Sequence, residues 1–307
     1  MTAATASASA PTEPVAVVVV AAGAGTRLGY GMPKALVPVC GEPMLLHALR
    51  GVVAASSARQ ICVAVPADDD ELAAVCRAFA IELASTEPAT TEPATTEPAT
   101  TEPAASEPGA TAGTARELGA PEITVVQGGA TRAESVQSAL TALKPGTVHV
   151  LVHDAARPLT PPEVFHRVVA ALRNGAAAVI PAVPVVDTVK SVARTVDDEA
   201  SVADEVVTGT PARETLRAVQ TPQGFDAETL LRAHRTSQTW SEERAAAITD
   251  DAMLVESLGL PVYVVRGDAR SLKITTPLDL RLAETLVSSL GSPGTILTQP
   301  SPTQEPS

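Results

Sequence analysis

The first part of the chain that could do chemistry is a glycine-rich loop after the first apolar run. Gly23, Gly25 and Gly29 lie in it, and small residues let backbone N–H groups approach a phosphate chain closely. Arg27 and Lys34 add two cations, which suit a triphosphate whose leaving pyrophosphate gains charge in the transition state. The loop therefore predicts a triphosphate site, and a surface loop with two solvated cations is the alternative.

Two other kinds of nucleotide site fit this loop less well. Its glycine spacing loosely matches a dinucleotide-binding loop, but such a match is weak by itself, and the two cations argue against a nicotinamide site. No Gly-Lys-Ser/Thr follows, so the loop is not a Walker motif. The five histidines show no metal-ligand spacing, and no Gly-x-Ser-x-Gly occurs, which disfavours a hydrolase.

The elements that must position this loop alternate between strand and helix. Apolar runs of strand length are predicted near residues 15–21, 60–65, 123–126, 148–152 and 177–181, with amphipathic helices near residues 44–55, 69–80, 132–143 and 162–173. This order predicts an α/β fold with a doubly wound, mostly parallel sheet. Beyond residue 184 a looser alternation predicts a projecting antiparallel arm, and then two further helices, a strand and a last helix at residues 277–290.

Composition limits the classes of protein to which the chain can belong. The 307 residues are 45% hydrophobic but only 2% aromatic, which fits a sheet core of Val, Leu, Ile and Ala. A net charge of -13 argues against a nucleic-acid-binding protein. Three cysteines without a Cys-x-x-Cys pair favour a reducing cytoplasm, and the apolar run at residues 15–22 is too short to span a membrane.

Three segments are predicted to lie outside the packed core. Residues 1–13 and 291–307 are expected to be disordered tails, because they lack the apolar side chains needed to offset the entropy of ordering. Between them we place one domain, residues 14–290, with an arm at about residues 184–220. A repeat of Thr-Glu-Pro-Ala-Thr marks a low-complexity insertion at about residues 85–119, which we interpret as a solvated linker rather than a partner-binding segment.

Several ordered motifs carry a resemblance to a known family. The loop Ala-Ala-Gly-x-Gly-x-Arg with a later Pro-Lys resembles the sugar-phosphate nucleotidyltransferases. Further segments resemble the 2-C-methyl-D-erythritol 4-phosphate cytidylyltransferase family: residues 128–136, 150–158, 187–190, 220–223 and 272–275. The resemblance covers roughly residues 15–286 apart from the insertion. It implies transfer of CMP from CTP to methylerythritol 4-phosphate in isoprenoid precursor biosynthesis, with release of pyrophosphate.

The resemblance also implies roles for individual residues. Arg27 and Lys34 would be catalytic, because they neutralise the phosphates as the acceptor phosphate attacks. CTP would be bound by Ala21, Ala22, Gly23, Gly25, Gly129, Ser135 and Asp154. Taken alone, a serine such as Ser135 is more often a helix-start residue that bonds its own backbone. Where the family often has an acidic or amide residue this chain has Ala130, so we expect backbone groups to select the cytosine.

A magnesium ion that bridges the triphosphate oxygens is implied as well, with Asp154 as the nearby carboxylate. Contact with substrate hydroxyls and capping of the next turn are alternative roles for Asp154, and the sequence leaves them open. The neighbouring His153 is interpreted as a packing or orienting imidazole rather than a general base. Acceptor binding is assigned to Asp154, Arg157, Thr188, Arg213, Thr221 and Lys273. Thr188 and Arg213 lie in the predicted arm, which in the family reaches a second subunit, so a homodimer is expected.

Two alternatives remain at this stage. The first is a cytidylyltransferase for another polyol phosphate such as ribitol 5-phosphate, whose sequences share most of these loops. The second is a catalytically silent nucleotide-binding or scaffold protein that uses the Thr-Glu-Pro repeat to bind a partner. Retention of Arg27, Lys34, Asp154, Arg213 and Lys273 together argues against a silent protein.

Overall fold

An eight-stranded sheet forms the centre of the computed structural model, which describes residues 13–23, 28–67, 69–85, 119–194 and 205–290. The predicted tails apart from residue 13, almost all of the predicted insertion and the loop residues Gly25 and Arg27 lie outside the described residues. Four parallel strands form one side of the sheet in the order β6, β1, β4, β5. They are β1 (Val15–Val20), β4 (Gln60–Val65), β5 (Glu122–Gln127) and β6 (His149–Asp154).

The other side of the sheet contains its two antiparallel strands. β11 (Gln223–Asp226) lies between β6 and β7 (Ala178–Pro184) and runs antiparallel to both. β10 (Arg217–Val219) continues along the same side of β7, and β12 (Tyr263–Arg266) pairs parallel to β7 on its other side. The prediction of a mostly parallel sheet is thus confirmed, although β11 was not predicted.

Helices cover both faces of the sheet, because the strand side chains alternate between the two faces. Val17 and Val19 of β1 point into a core built with α1, α2 and α4, whereas Val18 points into a core built with α3, α5 and α7. The first set comprises α1 (Met44–Ala54), α2 (Asp70–Ser85) and α4 (Pro162–Arg173). The second comprises α3 (Arg132–Thr141), α5 (Ala227–Ser237) and α7 (Asp251–Glu256), and a short α6 (Glu242–Ala246) precedes α7.

A third, smaller core lies beside the carboxyl ends of the parallel strands. There α8 (Pro277–Leu290) packs through Leu280 and Ala283 against Leu28 and Val39. Val39 belongs to a short hairpin formed by β2 (Pro38–Val39) and β3 (Glu42–Pro43). This core fixes the loop that precedes α8 beside the end of β6, since the Ile274 N–H donates to the Ala156 carbonyl at 2.8 Å.

The arm, residues 185–216, leaves the sheet after β7 and returns at β10. It contains an exposed two-stranded antiparallel sheet of β8 (Ser191–Arg194) and β9 (Glu205–Gly209). The projecting antiparallel segment agrees with the predicted fold class. The returning residues 217–219 differ from the prediction, because they pair with β7 in the main sheet. None of the helices in the described part of the chain is long and apolar enough to cross a membrane.

Candidate active site

A cavity of about 420 Å³ opens at the carboxyl ends of the parallel strands, where ligands bind in open α/β sheets. Segments after β1, β5 and β6 and the loop before α8 form its wall. Eight residues assigned to the site from sequence line it: Ala21, Ala22, Gly23, Lys34, Gly129, Ser135, Asp154 and Lys273. Val20, Leu28, Ala35, Ala130, Thr131, Arg132, Ala155, Ala156 and Thr275 complete the described lining.

The wall after β1 brings Lys34 close to the glycine-rich loop. The Ala21 N–H donates to the Ala64 carbonyl at 2.8 Å, and the Lys34 N–H donates to the Gly23 carbonyl at 3.1 Å. A short 3-10 turn, Lys34–Leu36, starts at Lys34 and packs Ala35 and Leu36 inside. Backbone pairing therefore holds the ends of the loop together, as a phosphate-binding role for Lys34 requires.

The wall after β5 is a helix start closed by a reciprocal pair of bonds. The Thr131 side chain accepts from the Glu134 N–H, and the Glu134 carboxylate accepts from the Ala130 N–H at 2.8 Å. A Cβ on Gly129 would lie 2.2 Å from the Glu134 Cβ, so only glycine allows this close approach. The arrangement presents backbone groups of residues 129–131 at the cavity.

Ser135 is almost fully buried in this helix start. Its hydroxyl donates to the Thr131 carbonyl at 2.9 Å and accepts from the Gly129 N–H at 3.2 Å. The hydroxyl thus bonds the backbone of its own helix start, which is the alternative role given for Ser135 from the sequence. Through these bonds it fixes Gly129 in the cavity wall. A direct contact between Ser135 and cytosine stays a prediction.

Asp154 is the centre of a charged cluster at the base of the cavity. Its Oδ2 lies 2.8 Å from Lys273 Nζ, and its Oδ1 lies 3.3 Å from Arg132 Nε. Burial alone would raise the pKa of Asp154, but the charges of Arg132 and Lys273 hold it well below its usual range. The carboxylate is therefore ionised at neutral pH. Asp154 is the last residue of β6, whereas the sequence placed it just after the strand.

The cluster continues behind Arg132 to a second buried carboxylate. Arg132 Nη1 lies 2.6 Å from Asp251 Oδ2, and Asp251 Oδ1 lies 3.1 Å from His234 Nε2. Burial opposes the charge on Asp251, but Arg132 and His234 lower its pKa. Sequence reasoning missed the roles of Arg132 and Asp251. The available signals were an arginine in the first turn of a predicted helix and an Asp-Asp pair at the start of another.

His153 and Thr221 support Asp154 from behind the cavity. The Thr221 hydroxyl accepts from the Asp154 N–H at 3.0 Å and lies 3.0 Å from His153 Nδ1, to which it can donate. His153 is buried, its ring centroid lies 5.1 Å from that of Phe165, and burial lowers its pKa to about 4. The geometry favours the packing and orienting role predicted for His153, and it places Thr221 beside Asp154 rather than in the lining.

Besides Thr221, three residues assigned to acceptor binding do not line the described cavity. Arg157 donates to two backbone carbonyls, that of Ser271 at 2.6 Å and that of Val219 at 3.1 Å. Thr188 and Arg213 lie exposed in the arm, where Arg213 donates to the Val186 carbonyl at 3.1 Å. Arg157 thus ties the loop before α8 to β10, and the two arm residues lie outside the described lining of the cavity.

The donor set at the cavity fits a magnesium ion held mainly by phosphate oxygens. Asp154 is the one carboxylate among the described lining residues, and two cations already contact it. Within the described residues no three His, Cys, Asp or Glu side chains cluster so as to hold a metal ion by themselves. One protein carboxylate plus substrate phosphates is a common way to bind Mg²⁺.

Comparison with known proteins decides the family. The family model described as 2-C-methyl-D-erythritol 4-phosphate cytidylyltransferase matches residues 15–86 and 105–289. The chain belongs to this family. It is 44% identical over 273 residues to the family's protein from Nocardia farcinica, covering 89% of this chain and 94% of that protein. The relative from Streptomyces avermitilis is 42% identical over 276 residues, covering 89% and 91%.

Solved structures of the family share the fold. The enzyme from Thermus thermophilus has a TM-score of 0.58 and 30% identity, with 90% of this chain and 99% of that chain covered. The 4-diphosphocytidyl-2C-methyl-D-erythritol synthase from Anaerococcus prevotii has a TM-score of 0.63 and 25% identity, with 91% and 100% covered. The predicted family and fold are confirmed, and the chain is a nucleotidyltransferase, as its sequence indicated.

Proposed function

We propose that this chain transfers CMP from CTP to 2-C-methyl-D-erythritol 4-phosphate, which forms 4-diphosphocytidyl-2-C-methyl-D-erythritol and pyrophosphate. The observation that carries the proposal is the cavity itself. Residues 21–23 and 129–131 line it together with the cations Lys34, Arg132 and Lys273, and the last two contact the ionised Asp154. On this family's fold, such a cavity suits two phosphorylated substrates held side by side.

The reaction needs alignment and charge neutralisation more than acid–base chemistry. An oxygen of the acceptor phosphate forms a bond to the α-phosphorus of CTP, and the bond from that phosphorus to the β-phosphate oxygen breaks as pyrophosphate leaves. A phosphate monoester is already nucleophilic near neutral pH, so no strong base is required. The enzyme accelerates the reaction by holding the two anions in line and by neutralising their charge.

Each cation in the wall has a distinct part in this scheme. Lys34, beside the glycine-rich loop, neutralises the CTP phosphates, and Arg27 is proposed to do the same from its place in the family motif. Lys273 holds the acceptor phosphate, because Asp154 fixes its ammonium group at the base of the cavity. Arg132 follows the helix start at residues 129–131 and contacts Asp154, so it connects this part of the wall to the carboxylate. Loss of Lys34 or Lys273 is expected to depress turnover.

Selection of cytosine is proposed to rest on backbone groups. The helix start at residues 129–131 presents N–H and C=O groups at the cavity, and Ala130 offers no polar side chain there. Ser135 holds this backbone in place through Gly129. A pattern of fixed donors and acceptors can match the amino group and ring acceptors of one base and leave groups unpaired with another.

Magnesium is proposed as the divalent cofactor. Asp154 would be its protein ligand, with the remaining positions filled by phosphate oxygens and water. When bound, the ion offsets negative charge on the phosphates. Lys34, Arg132 and Lys273 share that task from the protein side, and the charges of Arg132 and Lys273 keep the carboxylate of Asp154 deprotonated.

The arm is proposed to complete the site of a second copy, so that the active unit is a homodimer. Val206 and Val207 of β9 are more than half exposed on the single chain, as is Val186 near the start of the arm. Burying them between copies would remove apolar surface from water. Thr188 and Arg213 would then contact the acceptor in the other copy's cavity.

A cytoplasmic location is proposed because all three cysteines are free thiols.

A product analysis tests the proposed reaction. Purified chain is incubated with Mg²⁺, CTP and methylerythritol 4-phosphate, and the phosphorus NMR spectrum is followed for the new diphosphate and for pyrophosphate. The Lys273→Gln variant is expected to lose at least about a hundred-fold in turnover. The matched control is Lys144→Gln, at an exposed ion pair with Glu122, which should keep wild-type turnover. Absence of the diphosphate product with wild-type chain would refute the proposal.

A further inference from the structure

The last residue of β10 and the two residues that follow it bond to three different segments around the cavity. We call Val219, Gln220 and Thr221 the arm base. The Val219 carbonyl accepts from Arg157, and the Thr221 hydroxyl accepts from the Asp154 N–H. Gln220 lies between them, and the proposed reaction does not account for its side chain.

Gln220 is buried and makes a two-point contact with the backbone of Asp268. Its Nε2 donates to the Asp268 carbonyl at 2.8 Å, and its Oε1 accepts from the Asp268 N–H at 3.0 Å. The Gln220 N–H donates to the Pro181 carbonyl at 2.8 Å, which fixes its backbone on β7. A Cβ on Gly267 would lie 2.3 Å from Gln220 Oε1, so glycine is needed for this close approach.

Asp268 begins the loop that carries Lys273. The middle of this loop is held where Arg157 donates to the Ser271 carbonyl, and its end is held where the Ile274 N–H donates to the Ala156 carbonyl. At the start of the loop Gln220 holds Asp268, next to the bond that the Gly267 N–H donates to the Ala182 carbonyl. The loop therefore has one defined path along the cavity edge, and this path places Lys273 Nζ 2.8 Å from Asp154.

We propose that Gln220 is a positioning residue for the transfer reaction, which acts by fixing the loop that presents Lys273 to the acceptor phosphate. The inference rests on the proposed function in assigning Lys273 to that phosphate. A primary amide matches the two bonds because it offers a donor to the C=O and an acceptor to the N–H of the same residue, Asp268. Without it the loop start gains freedom and Lys273 samples positions away from Asp154.

The chain offers a matched control in Gln60. That side chain is also buried, donates to the Ala142 carbonyl at 2.9 Å and accepts from the Lys144 N–H at 2.9 Å. It lies at the first residue of β4, at the end of the sheet opposite the cavity. Gln60→Leu therefore removes the same kind of backbone contact without touching the loop of Lys273.

Steady-state kinetics separate a positioning role from a structural one. For Gln220→Leu we expect the KM for methylerythritol 4-phosphate to rise roughly ten-fold while the KM for CTP changes by less than about two-fold. Gln60→Leu should lose thermal stability with both KM values unchanged. In a Lys273→Gln background, adding Gln220→Leu should raise the KM for methylerythritol 4-phosphate by less than about two-fold, because Gln220 acts through Lys273. The proposal would be overturned if Gln220→Leu left the KM for methylerythritol 4-phosphate unchanged. It would also be overturned if Gln220→Leu raised this KM as much in the Lys273→Gln background as in the wild-type chain.

Hydrogen exchange tests the same inference without substrate. Amides of residues 268–275 should exchange at least about ten-fold faster in Gln220→Leu and at the wild-type rate in Gln60→Leu. If Gln220→Leu does not fold, Gln220→Asn keeps an amide that is too short for both bonds and should show the same effects. Wild-type chain that forms no product refutes the proposed reaction, and unchanged exchange in the loop refutes the role of Gln220.

Discussion

Arg132 Nη1 lies 2.6 Å from Asp251 Oδ2, although 119 residues separate the two in the chain. The same guanidinium contacts Asp154, so two buried carboxylates share one cation across the base of the cavity. A guanidinium suits this task because its donors are spread over a rigid plane. The position of Asp154 therefore depends on a residue from α7, on the far side of the cluster.

Replacing Asp251 by Asn should weaken both stability and catalysis. The change leaves the partly buried Arg132 with one anionic partner fewer, which we expect to lower the free energy of unfolding by roughly 3 kcal/mol. Misplacement of Arg132 and Asp154 should lower kcat/KM by about ten-fold or more. Urea unfolding and pyrophosphate-release kinetics measure the two effects.

The neighbouring Asp250 supplies the control for this prediction. It caps α7 by accepting from the Met253 N–H and also accepts from Gln223. Asp250→Asn should therefore cost about 1 kcal/mol of stability or less, with kcat/KM within about two-fold of wild type. Equal kinetic losses in both variants would contradict a specific role for Asp251.

The buried His153 should make stability fall as the pH is lowered. Its pKa is lowered from 6.5 to about 4 by burial, so between these values the unfolded chain binds a proton that the folded chain does not. Stability is therefore lost as the pH falls from 6.5 towards 4, by about 2 kcal/mol between about pH 7 and pH 5 from this group. In His153→Gln, urea unfolding at the two pH values should show a correspondingly smaller difference. An unchanged difference would contradict the assignment.

Much of the fold could be predicted because its signals are local. The valine-rich run of β1 and the amphipathic pattern of α4 each identify their element without reference to the rest of the chain. β11 was missed because Gln-Gly-Phe-Asp has no alternating or β-branched pattern. Its glycine is explained only by packing, since a Cβ on Gly224 would lie 2.3 Å from Val168 Cγ1.

The site was predictable where one short segment carries its own chemistry. The glycine-rich loop, Asp154 and Lys273 were found from residue type, position at strand ends and resemblance to the family. The Arg132–Asp251 pair was not, because only the order of strands in the sheet brings α3 and α7 together. Arg157 was assigned to substrate, yet in the single chain its guanidinium bonds backbone carbonyls. A charged side chain alone does not reveal whether its partner is a ligand or the protein.

Placing a charge at Val207, one of the exposed valines of the arm, should disrupt the proposed homodimer. In Val207→Lys the new charge resists burial between copies, so we expect a larger monomer fraction in sedimentation velocity and a parallel fall in activity. Val264→Lys is the control, since Val264 of β12 has a similar exposed fraction and lies outside the arm. The homodimer proposal fails if Val207→Lys sediments as the wild type does and keeps full activity.

Removing the Thr-Glu-Pro repeat should leave catalysis intact. α2 ends at Ser85 and β5 begins at Glu122, and the repeat between them has no side chains suited to a core. A chain lacking residues 86–108 is expected to keep kcat/KM within about two-fold of wild type. A large loss of turnover, with the thermal unfolding midpoint unchanged, would show that the repeat takes part in the reaction.

The measurement that tests the central claim most directly is pyrophosphate release by the wild-type chain with Mg²⁺. CTP, UTP, ATP and GTP are each tested with methylerythritol 4-phosphate and with ribitol 5-phosphate. Release with CTP and methylerythritol 4-phosphate alone is the result we predict. Release with ribitol 5-phosphate in preference would assign a different acceptor, and no release with any pair would contradict the assignment as a nucleotidyltransferase.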